Sequence, residues 1–365
     1  MTDRDRSADM DHPLLHAQDW RSLARAMFLS AIARFDRGRP VLVLGHFDAD
    51  GLSALAIIVR ALRASGLQVQ ARPVGKGENP WDPRFRLELE ERRPGGLIAT
   101  DLGVRGGDLL HGTPTIIVDH HRPTGTPGDA VVISGHGLQP EPTSSLLAWH
   151  CVGGTAEAEP LLWLAAMGLI GDMARDEDFP EIAAAQAVYG KTALRDAVSL
   201  VNAPRRTASA DPSPALRLLM DKDGPKALTK GDGEDAQALR VAKAEVRAEV
   251  EIARRIAPKV RGDVALIRFH SPCQIHPLIA QQWRGRLKDK IVLAANDGYR
   301  DGWVHFAARS ATGTDLIRFL ADHRLAGADA HYGSGHAQAT GGALRQADWN
   351  AFVEGLGFPE ETFAA

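Results

Sequence analysis

The sequence predicts an α/β protein. An N-terminal, doubly wound, mostly parallel sheet is joined by a helical connector to a smaller α/β C-terminal domain. Three observations predict it. The length, 365 residues, exceeds the usual size of one domain. Short apolar runs alternate with helix-period segments between residues 41 and 134, the pattern of a parallel sheet covered by helices. Strand-like runs restart after residue 262, beyond a stretch broken by Pro204, Pro212, Pro214, Gly224, Pro225, Gly231 and Gly233.

The elements follow in order. Residues 20–35 have helical spacing, with Leu23, Ala26, Met27, Ile32 and Ala33 on one side. Strands are expected at 41–45, 67–74, 97–100, 115–118 and 130–134, with helices at 52–64 and 82–93. Residues 142–200 read as helical, and 234–257 as a long helix of mixed charge with a solvated face. Runs at 264–269, 291–294 and 303–306 begin the second domain. The expected domains are 1–200, a connector at 201–260, and 261–365.

Hydrophobic residues make up 44% and charged residues 24%, which excludes a disordered chain. The net charge of −3 means that any nucleic-acid surface must be local. No apolar run reaches the ~20 residues of a membrane span, and Met1 to Arg6 carries charge without an apolar signal core. Cys151 and Cys273 are far apart and form no CxxC pair, which argues against a disulfide framework or zinc knuckle. A cytoplasmic location is expected.

In open parallel sheets, ligands bind beyond the carboxyl ends of the strands. Polar residues after each strand should therefore converge. The first strand ends in His46, Asp48 and Asp50, the third in Asp101, and the fourth in Asp119, His120 and His121. The apolar segment from Leu161 to Ile170 is followed by Asp172. Singly, each has a plainer reading: Asp172 stabilises a turn, and Asp101 caps a helix starting near Val104. Jointly they read as a metal site, because buried ionisable groups need compensation. Six oxygen and imidazole ligands exceed the needs of one ion. A pair of ions ~3.5–4 Å apart that activates water and neutralises a phosphoryl group fits better. Asp and His without Cys favour Mn2+ or Mg2+, Mn2+ the more so because imidazole is present.

Asp119-His120-His121, with His-x-Asp-x-Asp-Gly upstream and Asp101 and Asp172 in order, resembles the DHH phosphoesterase family. Residues 332–342, with Gly333, Gly335 and His336, resemble the glycine-rich motif of the DHH-associated domain. The resemblance implies that His46, Asp48, Asp50, Asp101, His120 and Asp172 hold two metals, with Asp101 bridging. It implies that His121 meets the phosphate or protonates the leaving oxygen, and that Asp119 orients a ligand histidine. His46 is either a ligand or a close neighbour.

Leu200 to Arg206 resembles the RecJ-like branch, in which Arg206 takes the place of an arginine that reaches substrate phosphate; a planar guanidinium suits that task. Arg309 and Ser310 resemble a terminal-phosphate segment in which Ala307 stands where a serine is usual. The glycine-rich loop at 333–342 offers backbone N–H groups to phosphate. The implied activity is trimming of single-stranded DNA or RNA, or of short oligonucleotides, from the 5′ end. Longer relatives carry an OB-type domain, and no aromatic clustering for a stacking platform is visible here, so short or weakly held substrates are expected. Two alternatives stand beside it: hydrolysis of a small nucleotide (phosphoadenosine phosphate, a linear or cyclic dinucleotide), and a non-catalytic nucleic-acid-binding scaffold.

Overall fold

The structure, a computed structural model, describes residues 12–153, 159–326, 328 and 332–363. Apolar runs form β1 (Val41–His46), β2 (Val69–Val74), β3 (Gly96–Thr100), β4 (Thr115–Asp119) and β5 (Val131–Ser134). They make one parallel sheet of order β2-β1-β3-β4-β5. Burial of both faces explains runs that do not alternate with polar residues. Val41, Val43, Ile98, Ile116 and Val118 enter one core, whereas Leu42, Leu44, Leu97, Ala99 and Ile117 enter the other.

The first core is covered by α1 (Trp20–Ile32) and α2 (Ala49–Ala64), the second by α3 (Pro83–Arg92). Asp19 starts α1 by accepting hydrogen bonds from the amides of Arg21 and Ser22. The stripe α1 buries is Ala24, Phe28 and Ala31, while Leu23, Met27 and Ile32 of the expected stripe are half-buried. Ala26 and Ala33 of that stripe are exposed, and Phe28 is the large side chain that α1 buries. Among the described residues no helix joins β3 to β4 or β4 to β5. Val104, Leu109 and Leu110 of the first connection cover the sheet there instead. The helix near Val104 that Asp101 could have capped is therefore absent.

A helical layer follows: α4 (Ser144–Val152), α5 (Leu162–Gly171), α6 (Pro180–Tyr189), α7 (Lys191–Val201), α8 (Ser213–Asp221), α9 (Pro225–Lys230) and α10 (Glu234–Ala253). Nearly every residue of α5 is buried, which is why its sequence shows no polar face. Pro214 and Pro225 lie in the first turns of α8 and α9, where a missing N–H costs nothing. Ala215, Leu216, Leu218, Leu219 and Leu228 join the first core. The chain divides into two compact units: residues up to Arg205 with Ala210–Val241, and Arg206–Ser209 with the residues from Ala242 onward.

The second unit contains β6 (Lys259–Arg261), β7 (Val264–Phe269), α11 (His276–Arg284), β8 (Ile291–Arg300), β9 (Trp303–Ser310), α12 (Leu316–Asp322), β10 (Ser334–His336), β11 (Ala339–Arg345) and α13 (Gln346–Gly355). Its sheet has the order β10-β11-β9-β8-β7-β6, and only β7 and β8 are parallel. Aromatic residues do cluster here: Phe306 lies 5.5 Å from Phe352 and 5.7 Å from Tyr332, centroid to centroid. These rings are buried core, not a platform for bases. Among the described residues no helix is long and apolar enough to cross a membrane.

Candidate metal centre

The centre is built at the carboxyl ends of β1, β3 and β4. The chain leaves β1 at His46 and turns sharply into α2, whose start packs over the strand end. Gly45 and Gly51 permit this: a Cβ on Gly51 would lie 2.5 Å from the His46 carbonyl oxygen, and one on Gly45 would lie 2.9 Å from the Gly51 carbonyl oxygen. Asp48 caps α2 through Oδ1, which accepts from the Gly51 amide at 3.1 Å. Its Oδ2 is thereby left for His46 Nδ1 at 3.1 Å and Arg205 Nη1 at 3.2 Å. Asn202, at the end of α7, accepts from the Ala49 amide at 3.1 Å and secures the same helix start.

Asp101 follows β3 in a left-handed backbone conformation, φ 60°. Its buried carboxylate is central: Oδ2 lies 3.6 Å from His46 Nδ1, and Oδ1 lies 3.5 Å from His120 Nε2 and 3.7 Å from His121 Nδ1. Ser144 Oγ donates to Oδ1 at 3.0 Å. Asp119 is fully buried and accepts from the amides of Gly103 and His121, both at 2.7 Å. The imidazole it meets is His121, at Nδ1 and 3.1 Å, and not the candidate ligand His120. His120 turns away from Asp119 because Asp101 and Asp172 Oδ2, at 3.3 Å, draw its Nε2 into the cluster.

Asp50 lies in the first turn of α2 rather than in the loop, and it is fully buried. The amides of Ser144 and Ser145 donate to its two oxygens at 2.9 and 3.0 Å, so the N-terminus of α4 faces the carboxylate. Asp172 ends α5. That helix approaches α4 and Asp50 at Gly168, where a Cβ would fall 1.9 Å from Ser145 Oγ and 2.2 Å from Asp50 Oδ1. Ser144, Ser145 and Gly168 lie outside the sequence-predicted set. Their trace in the sequence is the Thr143-Ser144-Ser145 start of a helix and one glycine inside an apolar run.

Electrostatics shows an excess of acid. Burial works against charge on His46 and His120, but Asp48 and Asp101 raise His46 to about 10, and Asp101, Asp50 and Asp172 raise His120 to about 11. His121 is partly desolvated, which opposes its charge, yet Asp119 and Asp101 raise it to about 9. Burial and the neighbouring Asp101 push Asp50 up to about 6, and burial with Asp50 and Asp101 holds Asp172 well above the usual carboxylate range. Three sets of donors each lie within 4.8 Å of one another: His46, Asp48 and Asp101; Asp50, His120 and Asp172; Asp101, His120 and His121. The donors are oxygen and nitrogen without sulfur, since Cys151 is buried against the Ala24 carbonyl. Such a set fits hard divalent ions, and the first two triads offer two positions with Asp101 between them.

The other sequence-predicted residues lie in the second unit. Arg309 on β9 donates to the carbonyls of Ala308 and Thr340 at 2.8 and 3.1 Å, and burial lowers its basicity. The Ser310 hydroxyl is engaged with Thr312 Oγ1 at 2.8 Å and accepts from the Thr312 amide. The glycine-rich segment is not an open loop. Gly335 pairs with Thr340 and His336 with Ala339 as β10 and β11, and the Gly333 amide donates to the Gly341 carbonyl, so these backbone groups serve the sheet. The His336 side chain lies outside the described residues. The Arg206 carbonyl accepts from the Gln274 amide at 2.8 Å, which ties it to the loop before α11. There His276, unforeseen in the sequence, is buried near His305, Arg309 and Arg206; burial first, and then these neighbours, lower it to about 3, so it is neutral.

No protein-family model matches the chain. It is 34% identical over 196 residues to the single-stranded-DNA-specific exonuclease RecJ of Thermus thermophilus, a match that covers 46% of this chain and 27% of that relative's length. Its fold resembles a crystal structure of exonuclease RecJ bound to manganese, with TM-score 0.64, 20% identity, and 93% of this chain and 95% of that one covered. It also resembles Thermus RecJ in complex with Mn2+, with TM-score 0.68, 21% identity, and 95% of this chain and 55% of that one covered. The DHH domain of a member of a ribosomal-protein family superposes at TM-score 0.64 with 14% identity, over 96% of this chain and 94% of that one. A parallel sheet whose strand ends carry the acid and histidine cluster, followed by a second α/β unit, is the fold this chain shares with those RecJ and DHH-domain structures.

Proposed function

We propose that this chain hydrolyses phosphodiester bonds with two divalent metal ions, trimming single-stranded nucleic acid or short oligonucleotides from the 5′ end. The observation that carries the reading is Asp101, whose two oxygens face His46 on one side and His120 on the other. His46, Asp48 and Asp101 would hold one Mn2+ or Mg2+, and Asp50, Asp101, His120 and Asp172 the other. When bound, such ions activate water and neutralise charge on the phosphoryl group. The protein's part is to hold the donors: the Ser144 and Ser145 amides fix Asp50, and Ser144 Oγ fixes Asp101. His121 is clamped by Asp119 through Nδ1, and its half-exposed ring leaves Nε2 to donate to a phosphate oxygen or protonate the leaving oxygen. Arg206 and Arg309 would hold substrate phosphate in the second unit.

The similarity to RecJ, a single-stranded-DNA-specific exonuclease, supports strand trimming over the small-nucleotide alternative. The test is incubation with Mn2+ and strands labelled at either end, DNA and RNA, from two nucleotides upward, beside phosphoadenosine phosphate and cyclic dinucleotides. Mononucleotides released from the 5′ end of longer strands are expected. Cleavage confined to dinucleotides or cyclic substrates would replace trimming with small-nucleotide hydrolysis. Strand binding without hydrolysis would leave a scaffold.

A further inference from the structure

Arg205, the neighbour of Arg206 in sequence, lies on the candidate metal cluster. It follows α7 in the turn Pro204–Arg206, with its side chain 22% exposed. Nη1 donates to Asp48 Oδ2, the oxygen that also faces His46, while the Gly51 amide occupies Oδ1. Oδ2 is therefore the Asp48 atom best placed to ligate an ion, and a permanently charged guanidinium sits on it. Arg205 Nε is buried and meets no acceptor among the described residues. Among those residues no Arg or Lys is ion-paired with Asp50 or Asp172, so the other triad carries no such cation.

We propose that Arg205 is a resident cation of the His46–Asp48–Asp101 position, competing with the incoming ion, so that this position fills after the Asp50–His120–Asp172 position and more weakly. The inference rests on the two-metal reading above. Displaced from Asp48, the guanidinium with its unmet Nε would stand beside the ion as a donor for a phosphate oxygen.

The test is a calorimetric Mn2+ titration of the metal-free protein, with circular dichroism of each variant as a check on folding. The wild type should show a tight and a weak class of site. Asp172→Asn should remove the tight class and so identify it. Arg205→Gln should tighten the weak class by about tenfold and leave the tight class in place, because a like charge next to the ion has gone. Arg205→Lys, which keeps the charge, should leave the weak class weak. A weak class unchanged or weakened in Arg205→Gln overturns the proposal and makes Arg205 a residue that merely positions Asp48. A wild type that binds one ion or none overturns the two-metal reading itself.

Discussion

Asp101 adopts φ 60°, a left-handed conformation that costs about 1–2 kcal/mol for most L-residues and less for Asp. It also buries a carboxylate among other acids, and attraction to His120 and His46 outweighs that burial and lowers it to about 2. Asp101→Ala should lower Mn2+-dependent hydrolysis by more than about 100-fold, beyond the range for outer partners of a metal ligand, and should abolish two-site Mn2+ binding in calorimetry. Its thermal midpoint should fall, since the charged carboxylate is held favourably by His120 and His46 and alanine is strained at φ 60°, while circular dichroism shows the fold retained. The identity of this residue was legible because it directly follows an apolar run. The partners of Asp119 and Arg205 were not, because they depend on how side chains turn once three strand ends meet.

At the scale of elements, the site depends on two helices meeting almost without side chains between them. Gly168→Ala should force α5 from α4, cost roughly 1–3 kcal/mol by overpacking, and weaken Mn2+ binding through displaced Asp50; thermal unfolding and titration would show both effects together. The beginning of α11 makes a separate prediction. Buried His276 stays neutral down to about 3, whereas an exposed histidine takes a proton near 6.5. Between those values the unfolded chain binds the extra proton, so the second unit should lose stability as pH falls from about 6.5 toward 3. Above 6.5 this contribution vanishes. Thermal midpoints measured across that range should fall less steeply in His276→Leu. The strands of the first sheet were readable in the sequence to within a residue or two, since burial on both faces leaves continuous apolar runs, whereas β8 and β9 run well past the expected 294 and 306, and β6, β10 and β11 were not expected. The glycine-rich segment misled because loop and edge strand share small residues, and only pairing with β11 separates them.

For the whole molecule, a net charge of −3 means that a strand, if bound as proposed, must meet a local group of cations rather than a general positive field. If Arg206 and Arg309 make two phosphate contacts, a plot of log affinity against log salt for a single strand should have a slope of about −1.4. Double replacement of both by Gln should flatten that slope while metal binding in the other unit persists. A slope several times steeper would point to a basic surface elsewhere.

The sequence by itself determined the α/β class, the strand ends and the chemical type of the centre. These follow from local runs of apolar residues and from acids and histidines placed directly after them. Only the tertiary structure decided which donors lie within reach of one another, that serine amides hold Asp50, that Asp119 meets His121, and that Arg205 meets Asp48. Asp50 and Ser144, or Asp48 and Arg205, lie roughly a hundred or more residues apart, and no local periodicity encodes such pairs.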